Sequence, residues 1–307
     1  MLDRIAVIGA GLMGHGIALT FARSGRSVVV QDPDAATRDS LPERVRASMT
    51  ALGCTESEIE ATLPRLSAAA DLAEAVFEAD CVFEAAPEKP ALKQAIFAAV
   101  EAAARPDCLF CSNTSVIPIT TIMGGLDRKG RALGTHWWNP PHMIPLVEVI
   151  RTEWTDDAAM DAVFDLLTEV GKRPVRVEKD VAGFIGNRLQ HALWREAVSL
   201  VENGICDAEA VDTVIKESFG RRLAVLGPLE NADLVGTDLA LAVHEIVLPD
   251  IDSRPGPSPY LERLVAEGKL GMKSGEGFRR WTKEEADAVR ARVATHLKRL
   301  DTILDPD

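Results

Sequence analysis

The amino-acid sequence predicts an α/β domain with a mostly parallel sheet, followed by an all-α domain. From residue 4 to residue 150, short runs of β-branched residues alternate with longer helical stretches, and a glycine-rich turn follows the first run. From Gly183 onward the strand pattern stops and apolar residues recur at helical spacing. Because 307 residues are enough for two hydrophobic cores, we place a boundary between Ala182 and Gly183, giving domains of residues 1–182 and 183–307.

The expected strands are the short apolar runs. They cover residues 5–8, 27–31, 81–84, 109–112, 131–135, 145–150 and 173–177. Helices are expected at residues 92–104 and 156–170, and an insertion at residues 35–66 is expected to form two more, the second begun by a capping box of Thr55 and Glu58. The second domain is expected to contain helices that start near residues 207, 230 and 283. This alternation predicts a sheet covered by helices on both faces.

Charge and composition exclude several classes of protein. The formal charge of −13 repels a phosphate backbone, so we expect no nucleic-acid partner. No stretch is long and apolar enough to span a bilayer, and the first residues lack the pattern of a signal peptide. We therefore expect a cytoplasmic protein without a membrane partner. Five cysteines, an odd number, fit a reducing compartment.

Cys108 and Cys111 have the CxxC spacing of redox and zinc sites. They lie in an expected strand, where residues three positions apart point to opposite faces. We therefore expect two inert core thiols, with a redox or zinc site as the alternative, and no metal site is predicted.

The first strand run leads directly into the turn Gly9-Ala10-Gly11-Leu12-Met13-Gly14, which opens a helix. Gly9 permits the tight turn, Gly11 lets the backbone approach a pyrophosphate, and Gly14 lets helix and strand pack closely. The N–H groups and the dipole of the helix N-terminus favour the same anion. A strand, this turn and a helix in succession predict a Rossmann-type dinucleotide site rather than a turn that is merely rich in glycine.

The second strand run ends at Asp32, at the distance where an acid accepts hydrogen bonds from the adenosine ribose. A carboxylate there also repels the additional phosphate of NADP. The sequence therefore predicts a site for NAD in preference to NADP. His15, just inside the helix, is expected to be a surface or packing residue.

A histidine and an acid lie on either side of a proline turn further along the chain. His136 ends a strand at the ligand-binding edge of the sheet, and Pro140 and Pro141 turn the chain before the strand that carries Glu148. Such a reversal can bring Glu148 against His136. A histidine fixed by a carboxylate on one nitrogen can take the proton of an alcohol as hydride leaves for nicotinamide. The alternative is a core histidine and an unrelated surface acid.

These motifs resemble those of the L-3-hydroxyacyl-CoA dehydrogenase family over nearly the whole chain. The matching motifs are the glycine turn, Asn113-Thr114-Ser115, His136-x-x-Asn139-Pro140, Leu146-Val147-Glu148-Val149, Gly183-Phe184-Ile185-x-Asn187-Arg188, Gly227-Pro228 with Asp233-Leu234-Val235-Gly236, and Gly271-x-Lys273-Ser274-Gly275-x-Gly277-Phe278. So many matches in one order are highly specific.

The resemblance implies a catalytic dyad in which His136 is the general acid/base and Glu148 orients it. It implies that Ser115 and Asn187 contact the reacting oxygen, where aimed dipoles stabilise a developing oxyanion, and that Asn139 supports the dyad. Taken alone, Ser115 could cap a turn and Asn187 could be a surface residue.

The resemblance also implies cofactor contacts beyond the turn. The residues concerned are Glu88 and Lys93 near the nicotinamide, Asn113, and Leu12 and Met13 in the first helical turn. Glu88 and Lys93 could equally be an exposed pair at a helix start. The family further implies a substrate site between the domains and a homodimer formed through the helical domain, with apolar stretches such as residues 233–248.

Two departures from the family concern the substrate. The fatty-acyl enzymes usually have two phenylalanines after the histidine, where this chain has Trp137 and Trp138, followed by His142. This is closer to relatives that act on small free acids, such as L-gulonate 3-dehydrogenase with λ-crystallin, carnitine dehydrogenase and a pyridine-carboxylate dehydrogenase. The Trp pair could narrow the pocket or pack in the core, and His142 could pair with a substrate carboxylate.

The second departure lies in the helical insertion, which supplies cations to coenzyme A in the acyl-CoA enzymes. No lysine precedes Lys89 in this chain, and the insertion keeps four arginines, at positions 38, 44, 46 and 65. The sequence therefore predicts an NAD-dependent dehydrogenase for a secondary alcohol, either a 3-hydroxyacyl-CoA or a free hydroxy acid. A small non-CoA substrate and a non-catalytic NAD-binding or structural protein are the alternatives.

Overall fold

The computed structural model describes residues 2–304, which divide into two compact units, one ending at Arg188 and the other beginning at Leu189. The strands of the first unit are β1 (Arg4–Ile8), β2 (Ser27–Gln31), β3 (Leu66–Ala69), β4 (Cys81–Glu84), β5 (Leu109–Ser112), β6 (Ala132–Trp137), β7 (Leu146–Arg151) and β8 (Arg173–Val177). They form one sheet in the order β3-β2-β1-β4-β5-β6-β7-β8. All neighbours pair in parallel except β6 and β7, which are antiparallel, so the mostly parallel sheet is confirmed.

Helices pack against this sheet. They are α1 (Leu12–Arg23), α2 (Ala35–Asp39), α3 (Leu41–Leu52), α4 (Glu56–Thr62), α5 (Leu72–Val76), α6 (Pro90–Ala103), α7 (Ile119–Met123) and α8 (Asp157–Glu169). Successive residues of β4 and of β5 enter two separate apolar clusters on opposite faces of the sheet: Phe83 and Cys111 belong to one, Val82 and Phe110 to the other. Cys108 lies in the second cluster, so the two thiols of the CxxC run do face opposite sides of the sheet.

Three elements of the first unit, β3, α5 and α7, were not expected from the sequence. Strand β3 has the sequence Leu-Ser-Ala-Ala and is the edge strand of the sheet, so it lacks the β-branched, apolar signal of a central strand. Helix α5 has only five residues, too few to show a helical period. The insertion forms three α-helices rather than two, because a break at Ser40 separates α2 from α3. The capping box of Thr55 and Glu58 is present at α4.

The second unit is helical. Its helices are α10 (Ala208–Glu217), α11 (Pro228–Val235), α12 (Thr237–Val247), α13 (Pro259–Ala266) and α14 (Lys283–Leu304), and α9 (Gly186–Glu202) begins in the first unit and continues into the second. Helix α9 begins three residues later than the pattern predicted, because Gly183 and Phe184 have left-handed backbones with φ of +75° and +48°. Within residues 2–304, none of the helices combines the length and the apolar character that crossing a membrane requires.

A close contact between α1 and the turn before it gives a test of the fold. A Cβ added to Gly14 would overlap the carbonyl oxygen of Gly9, whereas a Cβ on Gly11 would meet nothing within 4 Å. We expect Gly14→Ala to lower the free energy of unfolding by about 1–3 kcal/mol, because backbone must move to make room. The measurement is chemical denaturation, with Gly11→Ala as the matched control of unchanged stability. Equal stability of the two variants would contradict the close packing.

Candidate active site

The residues selected from the sequence gather at one edge of the sheet. Strands β1, β4, β5 and β6 run parallel and end there, which places the glycine turn, Glu84, Asn113 and His136 at neighbouring strand ends. The carboxyl edge of such a sheet is where ligands bind in doubly wound folds. The topology therefore assembles one site from segments that lie far apart in the sequence.

The glycine turn has the geometry that a dinucleotide requires. Gly9 has φ of +98° and donates its N–H to the Gln31 carbonyl at 2.7 Å, which folds the turn back onto the sheet. Gly11 precedes α1 without any side chain that caps the helix, and the space where its Cβ would lie is open. The first N–H groups of α1 are thus left for an anion, and the turn fits the pyrophosphate of NAD.

Asp32 lies beside this turn, half-buried. One carboxylate oxygen accepts the N–H of Ala10 at 2.8 Å, and the other accepts the N–H of Asp34 at 2.9 Å. These bonds fix the orientation of the carboxylate beside the glycine turn, and its contact with an adenosine ribose stays a prediction.

His136 and Glu148 are in contact, as the reversal at the prolines suggested. They lie directly opposite each other in the antiparallel ladder of β6 and β7, so their side chains share one face of the sheet. The distance from Nδ1 of His136 to Oε2 of Glu148 is 2.7 Å, and both side chains are buried. A carboxylate in this position fixes the ring and leaves Nε2 as the nitrogen for a substrate.

The second oxygen of Glu148 also has partners. Its Oε1 accepts the N–H groups of Ile185 at 2.8 Å and Gly186 at 3.0 Å, at the beginning of α9. Burial raises the pKa of Glu148, but the hydrogen bonds from His136, Gly186 and Ile185 outweigh it, so the pKa lies below its ordinary value. Glu148 is therefore a carboxylate at neutral pH.

Aromatic rings enclose His136. The ring centroid of Trp138 lies 5.0 Å from that of His136, and the Phe184 centroid lies 5.7 Å away. Gly186 touches the Trp138 ring so closely that a Cβ there would overlap it. The indole Nε1 of Trp138 is buried and has no hydrogen-bond partner among residues 2–304. Trp137, in contrast, packs in the core against Phe21 and Phe83, so the two tryptophans have different roles.

Ser115 and Asn187 meet at the same edge. The side-chain Nδ2 of Asn187 donates to the backbone carbonyl of Ser115 at 2.8 Å. The backbone N–H of Ser115 in turn donates to Oε1 of Glu88 at 2.9 Å. The Ser115 side chain is exposed and makes no hydrogen bond within the described chain, which leaves its hydroxyl available to a ligand.

Lys93 is not part of an exposed pair at a helix start. It is 1% exposed and donates to Oε1 of Glu84 at 2.7 Å and to the Ala86 carbonyl at 3.1 Å, and it also pairs with Glu88 at 3.2 Å. Glu84 is fully buried and was missed by the sequence reasoning. The sequence did contain a signal for this buried pair: an acid, Glu84, ends an apolar strand, and a lysine, Lys93, follows nine residues later.

The remaining predicted residues lie nearby with less direct roles. Asn113 accepts the backbone N–H of Trp137 at 3.0 Å, which ties the end of β5 to β6. Asn139 is exposed and precedes a cis proline; no hydrogen bond among residues 2–304 joins its side chain to His136 or Glu148. Its support of the dyad stays a prediction.

His142 packs against α1 rather than standing free for a carboxylate. A Cβ on Gly16 would lie 2.9 Å from its Nδ1, and the His15 ring centroid is 5.8 Å away. Burial, followed by the charges of His15, Lys172 and Arg23, lowers the pKa of His142 to about 4. The ring is therefore neutral at pH 7 in this structure, and its pairing with a substrate carboxylate stays a prediction.

Comparison with known proteins places the chain among dehydrogenases. The family model of the 3-hydroxyacyl-CoA dehydrogenase NAD binding domain matches residues 4–181, and that of the C-terminal domain matches residues 183–281. The chain is 35% identical to 5-formyl-3-hydroxy-2-methylpyridine 4-carboxylate 5-dehydrogenase of Mesorhizobium japonicum, over 99% of both chains.

Solved structures give the same relationship. The chain is similar to a 5-formyl-3-hydroxy-2-methylpyridine 4-carboxylic acid 5-dehydrogenase, described as an NAD+-dependent dismutase, with a TM-score of 0.92, 35% identity and 99% of both chains covered. It is also similar to (S)-3-hydroxybutyryl-CoA dehydrogenase PaaH1 from Ralstonia eutropha, with a TM-score of 0.77, 32% identity, 92% of this chain and 100% of that chain covered.

The placement of Asp32 predicts the choice between the two dinucleotides. Asp32→Ala would remove the hydrogen bonds predicted to the ribose and the charge predicted to repel a 2′-phosphate, so we expect the ratio of NAD to NADP affinity to fall by about tenfold or more. The measurement is titration with each dinucleotide by fluorescence. Asp39→Ala, an exposed acid at the end of α2, is the control. An unchanged ratio in Asp32→Ala would show that the ribose lies elsewhere.

Proposed function

This chain belongs to the 3-hydroxyacyl-CoA dehydrogenase family and is an NAD-dependent oxidoreductase, and on that premise we propose that its substrate is a small free acid bearing an alcohol. The assignment of residues 1–182 to cofactor binding and of residues 183–307 to substrate binding and dimerisation is part of this proposal. The competing substrate is a 3-hydroxyacyl-CoA thioester.

The observation that favours a free acid is the state of the insertion arginines. Coenzyme A phosphates need cations, and the insertion has no lysine. Arg46 is paired with both Glu56 and Glu60, and Arg65 donates to the Gly25 carbonyl at 2.6 Å. The two other arginines are similarly engaged: Arg38 donates to the Asp32 carbonyl at 2.6 Å, and Arg44 donates to Ser40 Oγ at 3.1 Å and to the Thr37 carbonyl at 2.9 Å. These side chains are already held by the fold, which disfavours a phosphate-bearing substrate.

The comparisons support the same class of substrate. A relative that matches nearly the whole chain is named for a pyridine carboxylate, and the TM-score of 0.92 to a structure with that name exceeds the 0.77 to the 3-hydroxybutyryl-CoA enzyme. A ring that bears a carboxylate and an oxidisable carbon substituent is therefore the first compound to test.

The geometry supports a direct mechanism. Nε2 of His136 takes the hydroxyl proton of the substrate, and the ionised Glu148 stabilises the imidazolium that results. NAD held at the glycine turn would supply the acceptor for the hydride from the carbon that bears this hydroxyl, so that the alcohol becomes a carbonyl. The Ser115 hydroxyl and the amide of Asn187, which is oriented by its bond to the Ser115 carbonyl, hydrogen-bond the reacting oxygen. In the reverse direction His136 returns the proton to the oxygen.

We also propose a homodimer in the cytoplasm. Large apolar side chains of α11 and α12 are exposed, among them Leu229 at 80%, Leu234 at 73% and Ile246 at 78%. A cluster of exposed apolar side chains on successive helices is typical of an interface between protein chains. All five cysteines are free thiols, which suits a reducing compartment.

The substrate class is tested by the appearance of NADH. We expect saturable turnover with one of the free acids, in a set of pyridine carboxylates with hydroxymethyl groups, gulonate, carnitine and 3-hydroxybutyrate. No saturation is expected with 3-hydroxybutyryl-CoA, because the insertion has no lysine and its four arginines already bond to other residues of the first unit. Saturation by the thioester alone would overturn the proposal.

His136→Ala is expected to lower kcat by about 10³-fold or more while NADH binding, measured by fluorescence, stays within about threefold. The reason is that the general base is lost while the glycine turn and Asp32 are untouched. His15→Ala, a histidine of α1 bonded to Ser48, serves as the control. Loss of NADH binding in His136→Ala would make this histidine structural.

The dimer is tested by light scattering after gel filtration. We expect twice the chain mass of 33.2 kDa for the wild type and a shift toward the monomer for Ile246→Glu, because a charge placed in an apolar interface is costly. The control is Phe77→Glu, which places the same charge at another exposed apolar residue, in the first unit. A monomeric wild type would exclude the dimer.

A further inference from the structure

Buried charges lie beneath the loop that carries Ser115. Glu84, at the end of β4, and Lys93, on α6, are 0% and 1% exposed and are joined at 2.7 Å. The other oxygen of Glu84 accepts the hydroxyl of Ser112 at 2.6 Å. The three N–H groups of the lysine are accounted for by Glu84, the Ala86 carbonyl and Glu88. Such a cluster is expensive to bury, and no residue in it has a part in the proton transfer described above.

Glu88 connects this cluster to the loop at residues 113–116. While Oε2 of Glu88 faces Lys93, its Oε1 accepts the hydroxyl of Thr114 and the backbone N–H groups of Ser115 at 2.9 Å and Val116 at 3.3 Å. One carboxylate thus holds three consecutive residues of the loop. The position of that carboxylate is set in turn by the buried ammonium group.

The loop then sets the segment that begins α9. The Val116 carbonyl accepts the N–H of Gly183 at 3.3 Å, and the Ser115 carbonyl accepts Nδ2 of Asn187 at 2.8 Å. The segment between these two residues supplies the N–H groups bound by Glu148. An unbroken series of contacts therefore runs from Glu84 to the residues around His136.

We propose that Glu84 and Lys93 are positioning residues of the dehydrogenase reaction, which act through Glu88 to hold Ser115 and Asn187 at the reacting oxygen. The inference rests on the proposed roles of Ser115 and Asn187. It assigns neither Glu84 nor Lys93 a contact with the substrate. Their effect is on geometry, and small displacements of such groups change the rate of the chemical step more than binding.

The test uses the double variant Glu84→Gln/Lys93→Met. Removing both charges avoids leaving one buried charge without its partner, and the side chains keep similar lengths. Glu88 then has no cation to hold it. The matched control is Glu101→Gln/Arg128→Met, because Glu101 is also on α6, pairs with Arg128 at 3.6 Å and binds the N–H groups of residues 127 and 128 in another loop.

Two measurements decide the matter. We expect amide hydrogen exchange at residues 113–116 to rise by about tenfold or more in the test variant, with α8 unchanged and with no such rise in the control. We expect kcat to fall by about tenfold or more, because Ser115 and Asn187 are no longer held at the reacting oxygen.

Wild-type exchange at residues 113–116 together with wild-type kcat would overturn the inference. So would a large loss of NADH affinity at unchanged kcat, since that would indicate direct cofactor contacts. A chain that oxidises none of the tested acids would refute the proposed substrate but not this inference, because the exchange measurement needs no substrate. Exchange that rises equally in the control would reduce the cluster to a general stabiliser of the fold.

Discussion

The carboxylate of Glu148 satisfies donors from two distant segments of the chain, and the site depends on it. One oxygen binds the His136 ring, and the other binds two N–H groups at the beginning of α9. A buried carboxylate without such partners would be costly, so the three donors and the acceptor stabilise one another. The same bonds hold the pKa of Glu148 below its ordinary value, which keeps it ionised beside the histidine. One carboxylate therefore fixes the orientation of the His136 ring, places a negative charge beside it and sets the direction in which α9 begins.

Close backbone contacts supply the second constraint. Gly14 lies against the Gly9 carbonyl, which brings α1 down onto β1 and aims its N-terminus along the strand edge. At the other side of the site, Gly186 lies against the Trp138 ring, so the start of α9 and the aromatic ring over His136 are placed together. A side chain at either glycine would separate the pieces that form the site.

The distribution of charge explains how an acidic protein holds an anionic cofactor. The backbone of the glycine turn, rather than a cluster of lysines, would offer positive potential to a pyrophosphate. The arginines of the insertion serve local structure, and one buried lysine serves two glutamates. These cationic side chains therefore bond to other residues of the chain, and few remain available to bind a second large anion such as coenzyme A.

The family resemblance and the cofactor were predictable from the sequence, because their signals are local. The turn at residues 9–14 and Asp32 at the end of β2 lie within one βαβ unit, where spacing along the chain determines spacing in the molecule. The resemblance is confirmed by the family models over both parts of the chain. The contact of His136 with Glu148 was also within reach, since a proline turn joins two neighbouring antiparallel strands.

Only the tertiary structure decided which distant segments of the chain come into contact, because no local pattern in the sequence indicates such contacts. That Lys93 is buried with Glu84, that Glu88 holds the Ser115 loop and that His142 packs on α1 depend on which distant elements meet. The same holds for edge strand β3 and for the partners of the arginines. Burial and pairing of a charge are properties of the assembled fold, because the residues that desolvate or neutralise it come from elsewhere in the chain.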